Sequence, residues 1–233
     1  MRKLLFKLLI IVFSILVLIS LLNIPVVTRK GVNYKWVSVK MPLYLKLLDF
    51  FDRHYNYKNL EVRITEGANN DKERVVSILK WVDTNILYVP DGFPVIDDHV
   101  WHIIVRGYGA NDQRHDVFST LCSYAGFKAF YKKLASTHTG KSMLFSFVKI
   151  NDDWFVFDID NTVYFTDSNG DFSSLEDLRE GNFEIKAIDE TRRLKYKYFF
   201  TDLKDFSDAG LSRPSIQNPF NRLSFKIKKV FFK

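Results

Sequence analysis

The residues of this chain that could do acid–base, nucleophilic or metal chemistry gather in two stretches. The first is Ile96-Asp97-Asp98-His99-Val100-Trp101-His102, with His115 further on, which puts two carboxylates and three imidazoles within nineteen residues. Such a donor set suits a hard or borderline divalent cation, and Asp98, His99 and His102 would be its ligands. His99 and His102 share a face only if the segment is helical, and Val100, Trp101, Ile103, Ile104 and Val105 around them look like core. The competing reading has Asp97 or Asp98 capping a turn while the histidines satisfy hydrogen bonds in a half-buried segment. It is the one we expect, with no metal and no cofactor. The second stretch runs from the polar segment Ser136 to Ser142, which holds His138, to Asp158 at the close of Trp154-Phe155-Val156-Phe157. The only cysteine, Cys122, forbids an intrachain disulfide.

The elements that must position these groups can be read from periodicity. Leu43, Leu47 and Phe50, with Phe51 and His54 beyond, recur at helical spacing and predict an amphipathic helix. Asn69, Asn70 or Asp71 can cap a second helix whose inward face is Val75, Ile78, Val82 and Ile86, ended by Tyr88-Val89-Pro90-Asp91-Gly92. A third begins near Asn111 or Asp112 and ends at Gly126, with Phe118, Leu121, Cys122 and Ala125 turned inward. Mid-helix burial favours a neutral thiol, so Cys122 reads as a small buried hydrophobe. From Phe127 the period changes. Lys128 to Leu134, Leu144 to Ile150 and Trp154 to Asp158 read as strands, Asn151-Asp152-Asp153 as a hairpin turn, and Thr162 to Phe165 as a further short strand. A turn over Asp167 to Asp171 leads to a helix from Ser173 or Ser174, where Glu176 and Asp177 offer a capping box. Helices first and a contiguous antiparallel sheet after make an α+β class.

Over roughly Asp71 to Leu178 this ordered set resembles the transglutaminase-like superfamily, a branch of the papain fold. The residues that carry the resemblance are Gly109-Ala110-Asn111-Asp112-Gln113, then Val117-Phe118 and Leu121, then Gly126-Phe127-Lys128-Ala129, and finally Trp154-Phe155-Val156-Phe157-Asp158, with Trp81-Val82 and Tyr88 in the lead-in. The resemblance implies a papain-like core and a Cys–His–Asp triad, in which a thiolate at a helix start attacks, an imidazole takes the proton and a carboxylate orients the ring. Carried over residue by residue, the nucleophile falls on Asn111, the base on Met143 and the carboxylate on Asp158. An amide and a thioether cannot do what a thiolate and an imidazole do, so acyl transfer by this route is expected to be absent. His138 is the candidate substitute base. Cys122 lies about 16 Å along the helix from its start and cannot substitute as nucleophile. Asp98, His99, His102, Arg106, Asn111, Asp112, Gln113, His115 and Asp158 could line a remnant cleft that binds peptide or polysaccharide, or else serve as caps and loop ties. The alternative function is a hydrolase or acyltransferase with re-recruited groups or a metal.

Around this domain, Leu8 to Val27 runs apolar for twenty residues behind Arg2, Lys3 and Lys7. At about 1.5 Å per residue it spans about 30 Å, a bilayer core. No small-x-small site follows it, so a signal anchor is expected over 1–27, a cleaved signal or a core helix being the alternatives. The domain is expected outside the cytosol, which in a bacterium means the periplasm. Residues 28–70 are expected to be linker and amphipathic helix, 71–210 the transglutaminase-like domain, and 211–233 a basic amphipathic tail that fits an anionic bilayer, or else an edge strand or a disordered tail. The net charge of +7 could suggest nucleic acid, but Lys and Arg are scattered except where they flank apolar residues at the two ends, so no nucleic-acid role is expected.

Overall fold

A computed structural model describes residues 2–32, 35–95, 99–187, 196–203 and 214–231. The chain divides into two compact units, Met1–Arg53 and His54–Lys233. The first opens with helix α1 (Arg2–Leu22), of which Lys3–Leu22 is long and apolar enough to cross a membrane, a test that a signal sequence also passes. Asn23 ends the helix by donating its side-chain amide to the Ile19 carbonyl at 2.8 Å. The apolar run read as one span to Val27 is therefore cut at Leu22, because Pro25 cannot continue the helix ladder and opens a strand instead. Strands β1 (Pro25–Val32) and β2 (Lys35–Pro42) pair antiparallel from Pro25↔Pro42 to Val32↔Lys35. This hairpin lies where a linker was expected. Its signal was present in the alternation of Val37, Val39 and Met41 with Ser38 and Lys40.

Helix α2 (Leu43–Thr65) extends eleven residues past His54, where the helical spacing had been followed. In the second unit its later turns bury Tyr57 and Glu61. Helix α3 (Asp71–Asn85) starts as its sequence dictates, with Asn70 accepting from the Glu73 amide and Glu73 accepting from Asn69 in return. Val75, Ile78, Val82 and Ile86 are fully buried, as their spacing requires. Two short strands, β3 (Leu87–Tyr88) and β4 (Tyr108–Gly109), pair parallel on either side of helix α4 (Val100–Arg106). Helix α5 (Asn111–Tyr124) comes next, and Gly126 at φ +95° makes the left-handed turn out of it.

The remaining strands form one antiparallel meander in the order β5 (Lys128–Ala135), β6 (Ser142–Ile150), β7 (Asp153–Asp158), β8 (Val163–Thr166) and β9 (Glu184–Ala187). Asn151 and Asp152, at φ +49° and +78°, turn the β6–β7 hairpin. Helix α6 (Leu175–Glu180) is capped by Ser174 and Asp177, and α7 (Lys197–Phe200) is a single turn. The α+β class expected from the sequence is the observed one.

The sheet buries both faces, and strand alternation assigns residues to them. On one face Val148, Ile150 and Phe157 join Phe118, Leu121 and Cys122 of α5 and Val75, Ile78 and Val82 of α3 in the larger core. On the other, Phe145, Phe147, Trp154 and Val156 pack with Leu178, Tyr196 and Phe200. The residues of the β6–β7 hairpin that could bear on chemistry are thereby sorted to opposite sides.

Candidate functional site

The start of α5 is where a nucleophile would stand. Asn111 is its first residue and is exposed, so it is neither the cap nor part of the core. The cap position is Ala110, whose side chain accepts nothing. The amide of Ala110 is instead met by the Gln113 side-chain oxygen at 3.1 Å, and the same oxygen accepts from Arg106 at 2.8 Å. Arg106 also donates to the Tyr108 carbonyl at 2.8 Å. Arg106 and Gln113, two of the proposed cleft residues, are thus engaged in tying α4, β4 and α5 together.

The positions to which the resemblance assigns base and carboxylate lie across the sheet from α5. Met143 packs against the Tyr196 core. Asp158 follows Trp154 and Val156 on the same face and accepts from the Tyr196 hydroxyl at 2.8 Å. It also accepts from the backbone amides of Asp160 and Asn161 and, at 2.6 Å, from the Asn161 side chain. Four donors make it the hub of the turn that leaves β7. Burial nonetheless raises its pKa above the ordinary carboxylate value, the bonds from Asn161 and Tyr196 opposing that rise.

On the α5 face a different set of polar groups meets. His115 is fully buried, its Nδ1 lies 2.8 Å from the Ser146 hydroxyl, and its Nε2 lies 3.8 Å from an Asp160 carboxylate oxygen. Arg114, 2% exposed, reaches Asp83 at 3.4 Å and Asp160 at 3.9 Å, with its guanidinium 4.4 Å from the centre of the Tyr88 ring. Thr162 donates to Asp83 at 2.6 Å, and the Tyr88 hydroxyl donates to the Asp160 carbonyl at 2.9 Å. Thr162 adopts φ +55°, unusual for a β-branched residue, and its hydrogen bond to Asp83 helps to hold it there. Ser146, Asp160, Arg114, Asp83 and Thr162 were not singled out from the sequence. The available signal was Arg114-His115-Asp116, three polar residues in a row on a helix whose next turn is core, which forces some of them to be buried and paired.

The other nominated residues are dispersed. His99 caps α4, its Nδ1 accepting from the Trp101 amide at 3.4 Å and lying 3.4 Å from the Tyr57 hydroxyl. Its ring is 6.1 Å from that of His102, centre to centre. Asp98 and Asp97 lie outside the described residues. Among those described, no group of three or more His, Cys, Asp and Glu is placed to hold a metal. His138 sits in an exposed turn and stacks on Tyr198 at 4.5 Å. Cys122 is fully buried, and burial raises its thiol pKa well above the usual value. It therefore remains the inert core residue that its place on the helix indicated.

No family model matches the chain. The chain is 27% identical over 197 residues, 76% of its length, to the LIM and transglutaminase domain protein ltd-1 of Caenorhabditis elegans, of which the match covers 26%. The chain thus spans about a quarter of the curated relative. Among solved structures it is similar to a Cytophaga hutchinsonii protein proposed to be a cysteine protease, with TM-score 0.41 and 14% identity over 62% of this chain and 56% of that one. It is also similar to a TGase, with TM-score 0.37 and 10% identity over 57% of this chain and 43% of that one. The resemblance to the transglutaminase-like superfamily that the residues carry is borne out by the curated relative, whose name includes a transglutaminase domain.

Proposed function

We propose that this chain is a membrane-tethered, transglutaminase-like domain that does not catalyse acyl transfer and serves at the cell envelope as a binding or scaffolding module for a peptide or glycan. One observation carries the reading. The serine–histidine pair that the domain assembles, Ser146 with His115, is sealed at 0% exposure of both residues, while the exposed start of α5 offers the amide of Asn111. A nucleophile without access to substrate and an accessible group without nucleophilicity do not make an acyl-transfer site. Beside that helix start, Leu87, Tyr88 and Phe93 expose apolar surface to which a ligand could bind. The tether in this reading is α1, and the domain's side of the membrane is the extracytoplasmic one.

A second reading rests on the same pair: Ser146, His115 and Asp160 stand in hydroxyl–imidazole–carboxylate order, so an opening of the α5–β6 contact would expose a hydrolase-like line. Three measurements decide. The full chain in detergent micelles is treated with a fluorophosphonate and with iodoacetamide, and no native labelling is expected; stoichiometric labelling of Ser146 establishes the second reading instead. The same protein is presented to envelope peptides and glycans, where saturable binding weakened by Phe93→Ala is expected, and no binding to any of them removes the module role. Protease added to spheroplasts, whose outer envelope has been opened, should digest the domain, and complete protection puts it on the cytoplasmic side.

A further inference from the structure

The end of the chain forms helix α8 (Pro219–Phe231). Residue pattern alone left it open between a helix on a bilayer, an edge strand and a disordered tail, and the structure makes it a helix. From Ala209 to Lys233 the chain carries six basic residues, Arg213, Arg222, Lys226, Lys228, Lys229 and Lys233, and no acidic one. Phe220, Leu223 and Ile227 recur at i, i+3 and i+7 as an apolar stripe and are 59%, 59% and 47% exposed, while Phe225, 43% exposed, lies off that stripe between Arg222 and Lys228. The start of the helix is fixed to the domain, since Phe220 meets the edge of His54 at 5.7 Å and Tyr124 donates to the Gln217 carbonyl at 3.2 Å. Beyond that anchored first turn, α8 is an amphipathic helix with a wet apolar stripe and with Arg222 and Lys228 exposed beside it.

We infer that α8 lies on an anionic lipid surface, with Leu223 and Ile227 in the headgroup–acyl boundary and Arg222 and Lys228 at the phosphates. A helix of this composition gains by burying its stripe a few ångströms into the interface, and its cations are drawn to anionic headgroups. Charge decides the occupant: a chain segment of one sign across its whole length calls for a partner of the other sign over a comparable area, and an apolar stripe calls for acyl chain. An anionic bilayer supplies both at once. The inference rests on the membrane tether of the proposed function and not on the absence of catalysis. With α1 spanning the membrane, α8 would be the domain's second contact with it.

The full chain is reconstituted into vesicles of phosphatidylcholine alone or with about 30% phosphatidylglycerol. Leu223→Cys and Lys228→Cys each carry an environment-sensitive fluorophore, and buried Cys122 does not label, as a control on the unsubstituted chain shows. In anionic vesicles the probe at 223 is quenched by brominated lipid and shielded about tenfold from acrylamide, while the probe at 228, across the helix, stays open to acrylamide; the shielding falls when salt is raised. Equal shielding at 223 in neutral vesicles, anionic vesicles and detergent means that protein, this chain or a second copy, covers the stripe, and overturns the inference. A probe at 223 open to acrylamide in every setting overturns it too. Loss of α1 from the mature chain is read separately from its mass, so failure of the tether and failure of α8 to dock are distinguishable.

Discussion

Asp158 and Asp160 stand two residues apart, yet the sheet between them sends their carboxylates into different surroundings. Asp158 closes β7 on the Tyr196 side, where two backbone amides, an amide side chain and a phenol all donate to it. Asp160 faces α5, where a buried histidine and a buried arginine approach it at 3.8 and 3.9 Å. The first carboxylate is a structural hub with short, numerous bonds. The second belongs to a looser ionic network in which His115 Nε2 has no hydrogen-bond acceptor among the described residues. The residue that a triad would use as orienter is committed to a turn, and the carboxylate nearest an imidazole is one that no motif marks.

Breaking the hub should cost most. Asp158→Ala strands a phenol, an amide side chain and two backbone amides in a buried site, and a loss of about 4 kcal/mol is expected in denaturant unfolding of the full chain in detergent. Asp158→Asn keeps an acceptor for the turn and should lose less, about 1–2 kcal/mol. The two should also differ from the wild type in pH dependence. Because the folded pKa of Asp158 is raised, its contribution is fully present below the unfolded value of about 3.9 and is lost as pH rises through the folded value. The stability gap between wild type and Asp158→Asn should therefore widen as pH falls from neutrality into that window, and a gap flat with pH would show that the ionisation is not felt.

On the α5 face the effects should be smaller and coupled. Ser146→Ala leaves the buried His115 Nδ1 without its partner and should cost about 1–3 kcal/mol, with a coupling of about 1 kcal/mol in a double-mutant cycle with His115→Ala. Additive losses would mean that the 2.8 Å contact contributes nothing beyond packing. Gln113→Ala should cost about 1 kcal/mol by freeing the α5 start from its substitute cap. Smallest is Asn111→Cys with Met143→His, which places at exposed and half-buried positions the residue types that the resemblance implies. Asn111→Cys alone should change stability by under about 0.5 kcal/mol, and its thiol should alkylate readily at the helix start. The pair should show no transfer of an acyl group from a glutamine peptide to an amine, because the introduced imidazole faces the Tyr196 core. Turnover would show that the sheet does not separate the two.

Much of the fold was legible because it obeys local rules. Asn70, Ser174 and Gly126 end or begin helices by satisfying amides or by adopting a left-handed turn, and each does so from its own neighbourhood. The β6–β7 hairpin was legible in Asn151-Asp152, which tolerate positive φ. The β1–β2 hairpin was overlooked although Val37, Val39 and Met41 alternate, since Arg29 and Lys30 in its first strand obscure the period there. The candidate site was much less legible. Arg106, Gln113 and His99 were read from the sequence either as lining a cleft or as caps and loop ties, and they make the bonds of ties and caps, which the same residue types form in either case.

Residue order was enough to establish the α+β succession of elements, the apolar helix at the start, the burial of Cys122 and the resemblance carried from Gly109 to Asp158, because periodicity, capping and motif are properties of neighbours along the chain. It took the packed chain to establish that Ser146 meets His115 across thirty-one residues, that Asp160 and not Asp158 stands near that ring, and that the last helix leaves its apolar stripe uncovered. Those outcomes depend on which face of a pleated strand meets which helix. Successive residues on a strand point to opposite faces, so a motif can name a residue without naming the side of the sheet on which its chemistry must occur.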